Sequence, residues 1–226
     1  RQMFIRDTVR TENNSRQLGL YPSYNLAPSI CILKGLFLLS NSNQENLTMT
    51  SANTPQQPIN IAVLTVSDTR TVATDKSGTT LIERLQTAGH SLAQRAIVKD
   101  DVYQIRAAVS QWIADSDVHA VLVTGGTGFT ARDTTPDALL PLFDQVIEGF
   151  GELFRSLSLA DVGTSTIQSR TVAGVANRTV IFSMPGSTGA CRMAWDGIIK
   201  EQLDSRHKPC NFVQMVTFNA ANKHLA

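Results

Sequence analysis

The residues best suited to chemistry lie in one stretch, Thr124-Gly125-Gly126-Thr127-Gly128-Phe129-Thr130-Ala131-Arg132-Asp133-Thr134-Thr135-Pro136-Asp137. Gly125, Gly126 and Gly128 let backbone amides approach an anion closely, and Thr124 and Thr127 add hydroxyl donors. Asp133 lies inside this loop, and Asp137 follows at the start of an expected helix. A carboxylate beside a phosphate cradle repels the ligand unless a divalent cation joins the two. Mg²⁺ binds in this way, through one or two carboxylates, waters and phosphate oxygens. The pattern therefore points to a metal-associated phosphate ligand. Asp100 and Asp101 are further candidates, and either can instead cap the helix that follows. Pro185-Gly186-Ser187 before a helix is a second possible anion nest.

Two familiar phosphate motifs fit less well. No GK[ST] follows any glycine pair, so the Walker pattern fails. Gly126-Thr-Gly128-Phe-Thr-Ala131 matches GxGxxA, with Glu148 twenty residues past Gly128. That fingerprint belongs to a first strand and its helix, whereas two strand–helix units precede it here. A nicotinamide-dependent oxidoreductase is accordingly a distant reading. His90, His119, His207 and His224 form no Ser–His–Asp pattern. Cys191 and Cys210 read as small packed residues rather than nucleophiles.

Elements that could position these loops alternate along the chain. Asn60–Val66 is a nearly continuous apolar run, as a strand buried on both faces should be. Thr80–Thr87 reads as a helix that Gly89 ends, Ser91–Val98 as a strand, Val102–Ala114 as a helix and Val118–Thr124 as a strand. Pro136–Phe143 and Phe150–Leu159 read as helices. Arg170–Val175 and Thr179–Met184 read as strands joined through Ala176-Asn177-Arg178, and Ala190–Leu203 closes as a helix. This alternation predicts a layered α/β sheet, mostly parallel, with ligands beyond the carboxyl ends of its strands. Parallel strands would bring three loops to one edge: Ser67–Arg70 with Asp75–Gly78, the glycine loop, and Pro185–Thr188.

The chain has 226 residues, 42% hydrophobic and 17% charged, with a formal net charge of +1. That balance argues against a nucleic-acid binder that neutralises many phosphates. Its three cysteines cannot all pair, and none has zinc-site spacing. The longest apolar run, Ile30 to Leu39, is interrupted and too short to span a bilayer. Residues 1–58 read as a disordered N-terminal extension, with Met49 a possible natural start; residues 59–226 read as the working domain.

From about Ile59 to Val216 the chain resembles the MoaB/MogA family of molybdenum-cofactor biosynthesis proteins. The marks are LTVSDTR at 64–70, DKSG at 75–78, TGGTGFTARDTTPDA at 124–138, GFGELFRSLS at 149–158, GTSTIQSR at 163–170 and MPGST at 184–188. GTSTIQSR and PCNF at 209–212 look more like the MoaB branch. The resemblance implies a three-layer α/β/α Mog-type fold and a cytoplasmic homotrimer or homohexamer. It also implies molybdopterin as substrate and ATP with Mg²⁺ as cosubstrate, with adenylylation of the molybdopterin phosphate. The resemblance implies that Asp100 and Asp133 match the family's essential acidic positions, and Gly125, Gly126, Thr127 and Gly128 its substrate-phosphate loop; Asp100 and Asp133 would then hold the metal or its waters. Ser67, Asp75, Arg132, Gly186 and Ser187 follow as further contacts. A non-catalytic molybdopterin-binding or scaffold protein is the competing reading, and turnover with Mg-ATP discriminates the two.

Overall fold

The computed structural model describes residues 54–218. The expectations for residues 1–53 lie outside the described residues. Gln56 and Gln57 already bond to the folded domain, Gln56 Nε2 donating to Ala88 O at 2.8 Å and Gln57 N to Ser205 Oγ at 2.9 Å.

The strands are β1 (Asn60–Val66), β2 (Ser91–Val98), β3 (Ala120–Thr124), β4 (Gln145–Val146), β5 (Val172–Ala176) and β6 (Thr179–Met184). They form one sheet in the order β2-β1-β3-β6-β5-β4. The pairs β1/β2, β1/β3 and β3/β6 are parallel, whereas β6/β5 and β5/β4 are antiparallel. The helices are α1 (Lys76–Thr87), α2 (Val102–Ala114), α3 (Thr135–Leu139), α4 (Glu148–Val162), α5 (Thr188–Ala194), α6 (Lys200–Gln202) and α7 (Val213–Val216). A π-helical turn, Trp195–Ile199, joins α5 to α6.

Side-chain alternation along the central strands separates two cores. Ile61, Val63, Ala120, Leu122, Val180 and Phe182 pack with α1, α4 and α5 on one face. Ala62, Leu64, Val66, Val121, Val123 and Ile181 pack with α2 and α3 on the other. The expected three-layer α/β/α arrangement is therefore present. Phe182 anchors the first core, with Phe150 5.1 Å and Phe212 6.1 Å away between ring centroids. Burying such a side chain contributes about 1.5–3 kcal/mol.

Several boundaries differ from the sequence reading. α1 starts four residues earlier than Thr80, because Asp75 caps it by accepting from Gly78 N. The helix expected over 136–143 ends at Leu139 and continues as a 3₁₀ turn, Leu140–Leu142, around Pro141. A proline inside a helix removes a hydrogen bond and clashes with the preceding turn. α4 is longer than the 150–159 reading and stops at Gly163, whose φ is +59°. A 3₁₀ turn, Gly163–Gln168, follows. The Asn177–Arg178 connection has φ of 45° and 67°, the signature of a two-residue hairpin turn. β4 and α7 were not read from the sequence. A two-residue strand carries no period, and α7 is fixed by burial of Val213 and Val216.

Candidate functional site

Parallel register brings the carboxyl ends of β1, β3 and β6 level, with Thr65 opposite Thr124 and Thr124 opposite Met184. The three expected loops therefore leave the sheet side by side. They line a cleft of about 680 Å³ that contains Ser67, Arg70, Gly125 to Gly128, Asp133, Gly186 and Ser187. Gly125 N donates to Met184 O at 3.0 Å. Gly125 and Gly126 have φ of +107° and +61°, a conformation that L side chains rarely adopt. The turn is tied from behind, since Thr135 N donates to Gly126 O at 3.0 Å and Thr135 Oγ1 to Gly125 O at 2.9 Å. Thr124 and Thr127 both line the cleft, and Thr124 directs its hydroxyl to Pro185 O at 3.0 Å.

The two singled-out carboxylates both abut this loop. Asp101 caps α2, accepting from Tyr103 N at 3.0 Å and Gln104 N at 2.9 Å. Asp100 accepts instead from Thr134 N at 3.0 Å and Thr134 Oγ1 at 2.8 Å. A Cβ on Gly126 would lie 2.6 Å from Asp100 Oδ2, and one on Gly128 would lie 2.8 Å from Asp133 Oδ2. The glycines thus admit both carboxylates. Asp133 Oδ2 accepts from Thr130 N at 2.9 Å and Thr130 Oγ1 at 2.6 Å. Burial alone would raise its pKa. The Thr130 hydroxyl and amide, the Gly128 amide and the Arg170 guanidinium outweigh burial and hold it below the usual carboxylate value. Among the described residues no group of three or more His, Cys, Asp or Glu could hold a metal ion. Two carboxylates at a phosphate-type loop nevertheless suit Mg²⁺, which takes its remaining oxygens from waters and phosphates.

Asp75 is buried and does not line the cleft. It accepts from Thr65 Oγ1 at 2.8 Å and Gly78 N at 2.9 Å, and pairs with Arg95 at 3.0 Å and Arg70 at 3.5 Å. It thereby places Arg70, which also donates to Ser77 Oγ at 2.9 Å and Gly186 O at 3.2 Å. Burial would raise the Asp75 pKa, but the Gly78 amide, the Thr65 hydroxyl and Arg95 together lower it. A lowered folded-state pKa stabilises the fold above the unfolded value and loses that contribution as pH falls through the folded one. We expect Asp75→Asn to cost about 3 kcal/mol at neutral pH, because it leaves two guanidiniums short of their carboxylate. Urea unfolding at pH 7 and pH 3 checks this, and the difference from the parent protein should shrink at the lower pH.

Arg132 pairs with Asp68 across the mouths of two loops and does not line the cleft. Ser187 caps α5, its Oγ accepting from Ala190 N at 3.1 Å. Cys191 is buried, and burial pushes its thiol pKa up, in keeping with a packed rather than a nucleophilic role. Burial lowers the pKa of His90 and of His119.

Three features were not singled out from the sequence. Arg70 supplies the cleft's guanidinium; its only signal was its place in LTVSDTR. The wall opposite the glycine loop comes from α4 and the turn after it, through Phe154, Ser158, Ser165, Gln168 and Ser169. Ser169 Oγ is buried without a hydrogen-bond partner. Arg170 braces the loop from outside. Its Nε donates to Gly128 O at 2.7 Å, Nη1 pairs with Asp137 at 3.1 Å, Nη2 donates to Asp133 O, and its guanidinium lies 5.3 Å from the Phe129 ring centroid. A single ammonium cannot reproduce this fork. Arg170→Lys should therefore speed amide exchange across 125–133 by about tenfold or more, with the β1 and β6 amides unchanged, as read by hydrogen–deuterium exchange.

Comparison with known proteins agrees with this geometry. A family model described as "Probable molybdopterin binding domain" matches residues 62–205. Molybdenum cofactor biosynthesis protein B of Escherichia coli (strain K12) is 58% identical over 164 residues, covering 73% of this chain and 96% of the relative. The protein of the same name from Bacillus subtilis (strain 168) is 46% identical over 142 residues, covering 62% of this chain and 84% of the relative. A crystal structure of a molybdenum cofactor biosynthesis protein B superposes with a TM-score of 0.65 at 46% identity, covering 66% of this chain and 94% of that one. The tungsten cofactor synthesizing protein MoaB from Pyrococcus furiosus superposes at 0.58 and 35% identity, covering 64% and 92%. On its motifs, its sheet and these likenesses, the chain belongs to the MoaB/MogA family of molybdenum cofactor biosynthesis proteins, which carry a molybdopterin-binding domain.

Proposed function

We propose that the protein binds molybdopterin in the cleft and adenylylates its terminal phosphate with Mg-ATP, releasing pyrophosphate. The observation that carries this reading is that Asp100 abuts Gly126 and Asp133 abuts Gly128 of one glycine loop, whose cleft Asp133 lines together with Arg70. An oxygen of the molybdopterin phosphate attacks the α-phosphorus of ATP. A new P–O bond forms, the bond from that phosphorus to the bridging oxygen breaks, and pyrophosphate carries away the electron pair. No oxidant or reductant is needed. A phosphate monoester has a second pKa of about 6, so the nucleophile is largely ionised at neutral pH. That fits a cleft whose described lining includes no histidine base.

The barrier is repulsion between two anions. Arg70 and the amides of the glycine loop would orient and neutralise the phosphates, with pre-set dipoles that need no reorganisation. Asp100 and Asp133 would hold Mg²⁺ or its waters, and the ion would supply further charge neutralisation. Ser67, Thr127, Gly186 and Ser187 would contact the substrates. Asp75 acts through Arg70, and Arg132 through Asp68. The reading includes a cytoplasmic homotrimer or homohexamer. Exposed Leu153, Leu157 and Ile167 support self-association, which sedimentation equilibrium tests.

Molybdopterin binding without adenylyl transfer is the second reading. It is favoured by the threonine bonds to both carboxylates, since Thr134 engages Asp100 and Thr130 engages Asp133. Anaerobic incubation of the full chain with molybdopterin and Mg-ATP separates the two. Formation of adenylylated molybdopterin with matching pyrophosphate supports the first, and tight binding without product supports the second.

A further inference from the structure

A second cavity of about 420 Å³ adjoins the cleft and shares Ser67 and Arg70 with it. Its remaining wall comes from the carboxyl-terminal half of the edge strand β2 from Arg95 onward, from Lys99 just after it, and from Asp68, Thr71 and Val72 after β1. The charge there is unbalanced. Asp75 serves both Arg70 and Arg95, Asp68 is paired with Arg132, and no salt bridge to Lys99 is found among the described residues. Lys99 is exposed.

Arg95 is only partly used. Nη2 donates to Asp75 Oδ2 at 3.0 Å, to Asp75 O at 3.4 Å and to Thr79 Oγ1 at 3.2 Å. Its Nε is buried and has no hydrogen-bond partner. A buried N–H donor of a guanidinium without an acceptor is costly, and a bound anion would satisfy it.

We propose that this edge cavity is a diphosphate subsite. It receives the β- and γ-phosphates of the nucleotide, and then the departing pyrophosphate, through Arg95 Nε, Arg70, Lys99 and the hydroxyls of Ser67 and Thr71. The assignment rests on the adenylyl-transfer reading and gives it a direction. The molybdopterin phosphate lies at the glycine loop, the leaving group lies on the β2 side, and Arg70 stands between them. Arg70 thus faces charge on both sides of the transferring phosphorus, where charge builds as the bond breaks.

The experiment is a titration of the full chain with inorganic pyrophosphate, with ATP and with AMP, without pterin. Binding is measured by calorimetry and by the ¹H–¹⁵N resonances of arginine Nε–H groups, that of Arg95 being assigned with Arg95→Lys. Pyrophosphate and ATP should both shift the Arg95 Nε–H resonance. AMP, which lacks the β- and γ-phosphates, should leave it in place. Lys99→Glu should weaken pyrophosphate binding by about tenfold or more, and Lys99→Met by about threefold, with melting temperatures unchanged.

An unmoved Arg95 resonance, or pyrophosphate affinity unaltered in both Lys99 variants, overturns the subsite. So does AMP shifting Arg95 as strongly as ATP, which would place the nucleoside monophosphate there instead. The titration needs no turnover, so the two readings fail separately. Pyrophosphate bound at Arg95 by a protein that makes no adenylylated molybdopterin removes the reaction and keeps the subsite. Turnover with Arg95 unmoved does the reverse.

Discussion

Asp133→Asn should lower adenylyl transfer by about 100-fold or more while molybdopterin affinity changes by about threefold or less. The substitution is nearly isosteric. An asparagine amide oxygen can still accept from Thr130 N and Oγ1, so the turn that shapes the loop is retained. What disappears is a negative charge whose pKa its neighbours hold below the usual carboxylate value. Under the proposed mechanism that charge would help hold Mg²⁺ beside the transferring phosphate, so its loss falls on the transition state more than on ground-state binding. Anaerobic single-turnover assays, beside a fluorescence titration of molybdopterin, check both halves. A parallel fall in turnover and affinity would make Asp133 a binding or folding residue. Retained turnover would remove it from the chemistry.

Gly125→Ala should destabilise the domain by about 3–5 kcal/mol and abolish ligand binding in the fraction that folds. Two effects combine. The residue has φ of +107°, a region that costs a side chain about 1–3 kcal/mol. The added methyl would also collide with the backbone carbonyl of Val66 at the end of β1. That oxygen belongs to an interior strand and cannot rotate away, so the overlap costs about 1–3 kcal/mol more. For a domain of this size the melting temperature should fall by about 10 °C. Calorimetry checks the magnitude, and Gly149→Ala is the control. Nothing lies within 4 Å of a Cβ at that exposed helical position, so stability should be unchanged or slightly raised.

Much of the scaffold was legible because its signals are local. β1 and β6 have the bounds read from their apolar runs, β2 has the expected bounds although its side chains are exposed or half-buried, and α2 has those read from its period. A buried strand must be apolar along its length, and a helix must return an apolar side chain every three or four residues. Legibility failed where a cap or a breaker set the boundary. The first turn of α1 has no apolar period, and only the Asp75 bond to Gly78 N marks its start. Pro141 carries no amide hydrogen, so α3 cannot continue through it. In the Ala190–Leu203 reading the apolar positions 190, 194, 198 and 203 end on an interval of five. A π turn at Trp195–Ile199 interrupts the single helix of that reading.

The sequence by itself determined the ingredients of the site. It shows a glycine loop flanked by hydroxyls, carboxylates that need a counter-charge, the absence of a hydrolase-type histidine arrangement, and an order of elements that brings strand ends to one edge. Those follow from residue chemistry and short-range spacing. The tertiary structure alone decided the roles. It gave the α2 cap to Asp101 and left Asp100 against Gly126. It buried Asp75 as the anchor of Arg70 rather than as a cleft residue. It also braced the loop with Arg170 and left Arg95 Nε without a partner at the edge of the sheet. The physical reason is the range of the interactions. Asp75 meets Arg95 across 20 residues, Arg70 meets Gly186 across 116, and Arg170 meets Gly128 across 42. At those separations spacing along the chain carries no distance, and which charge finds which partner is set by strand register and sheet order.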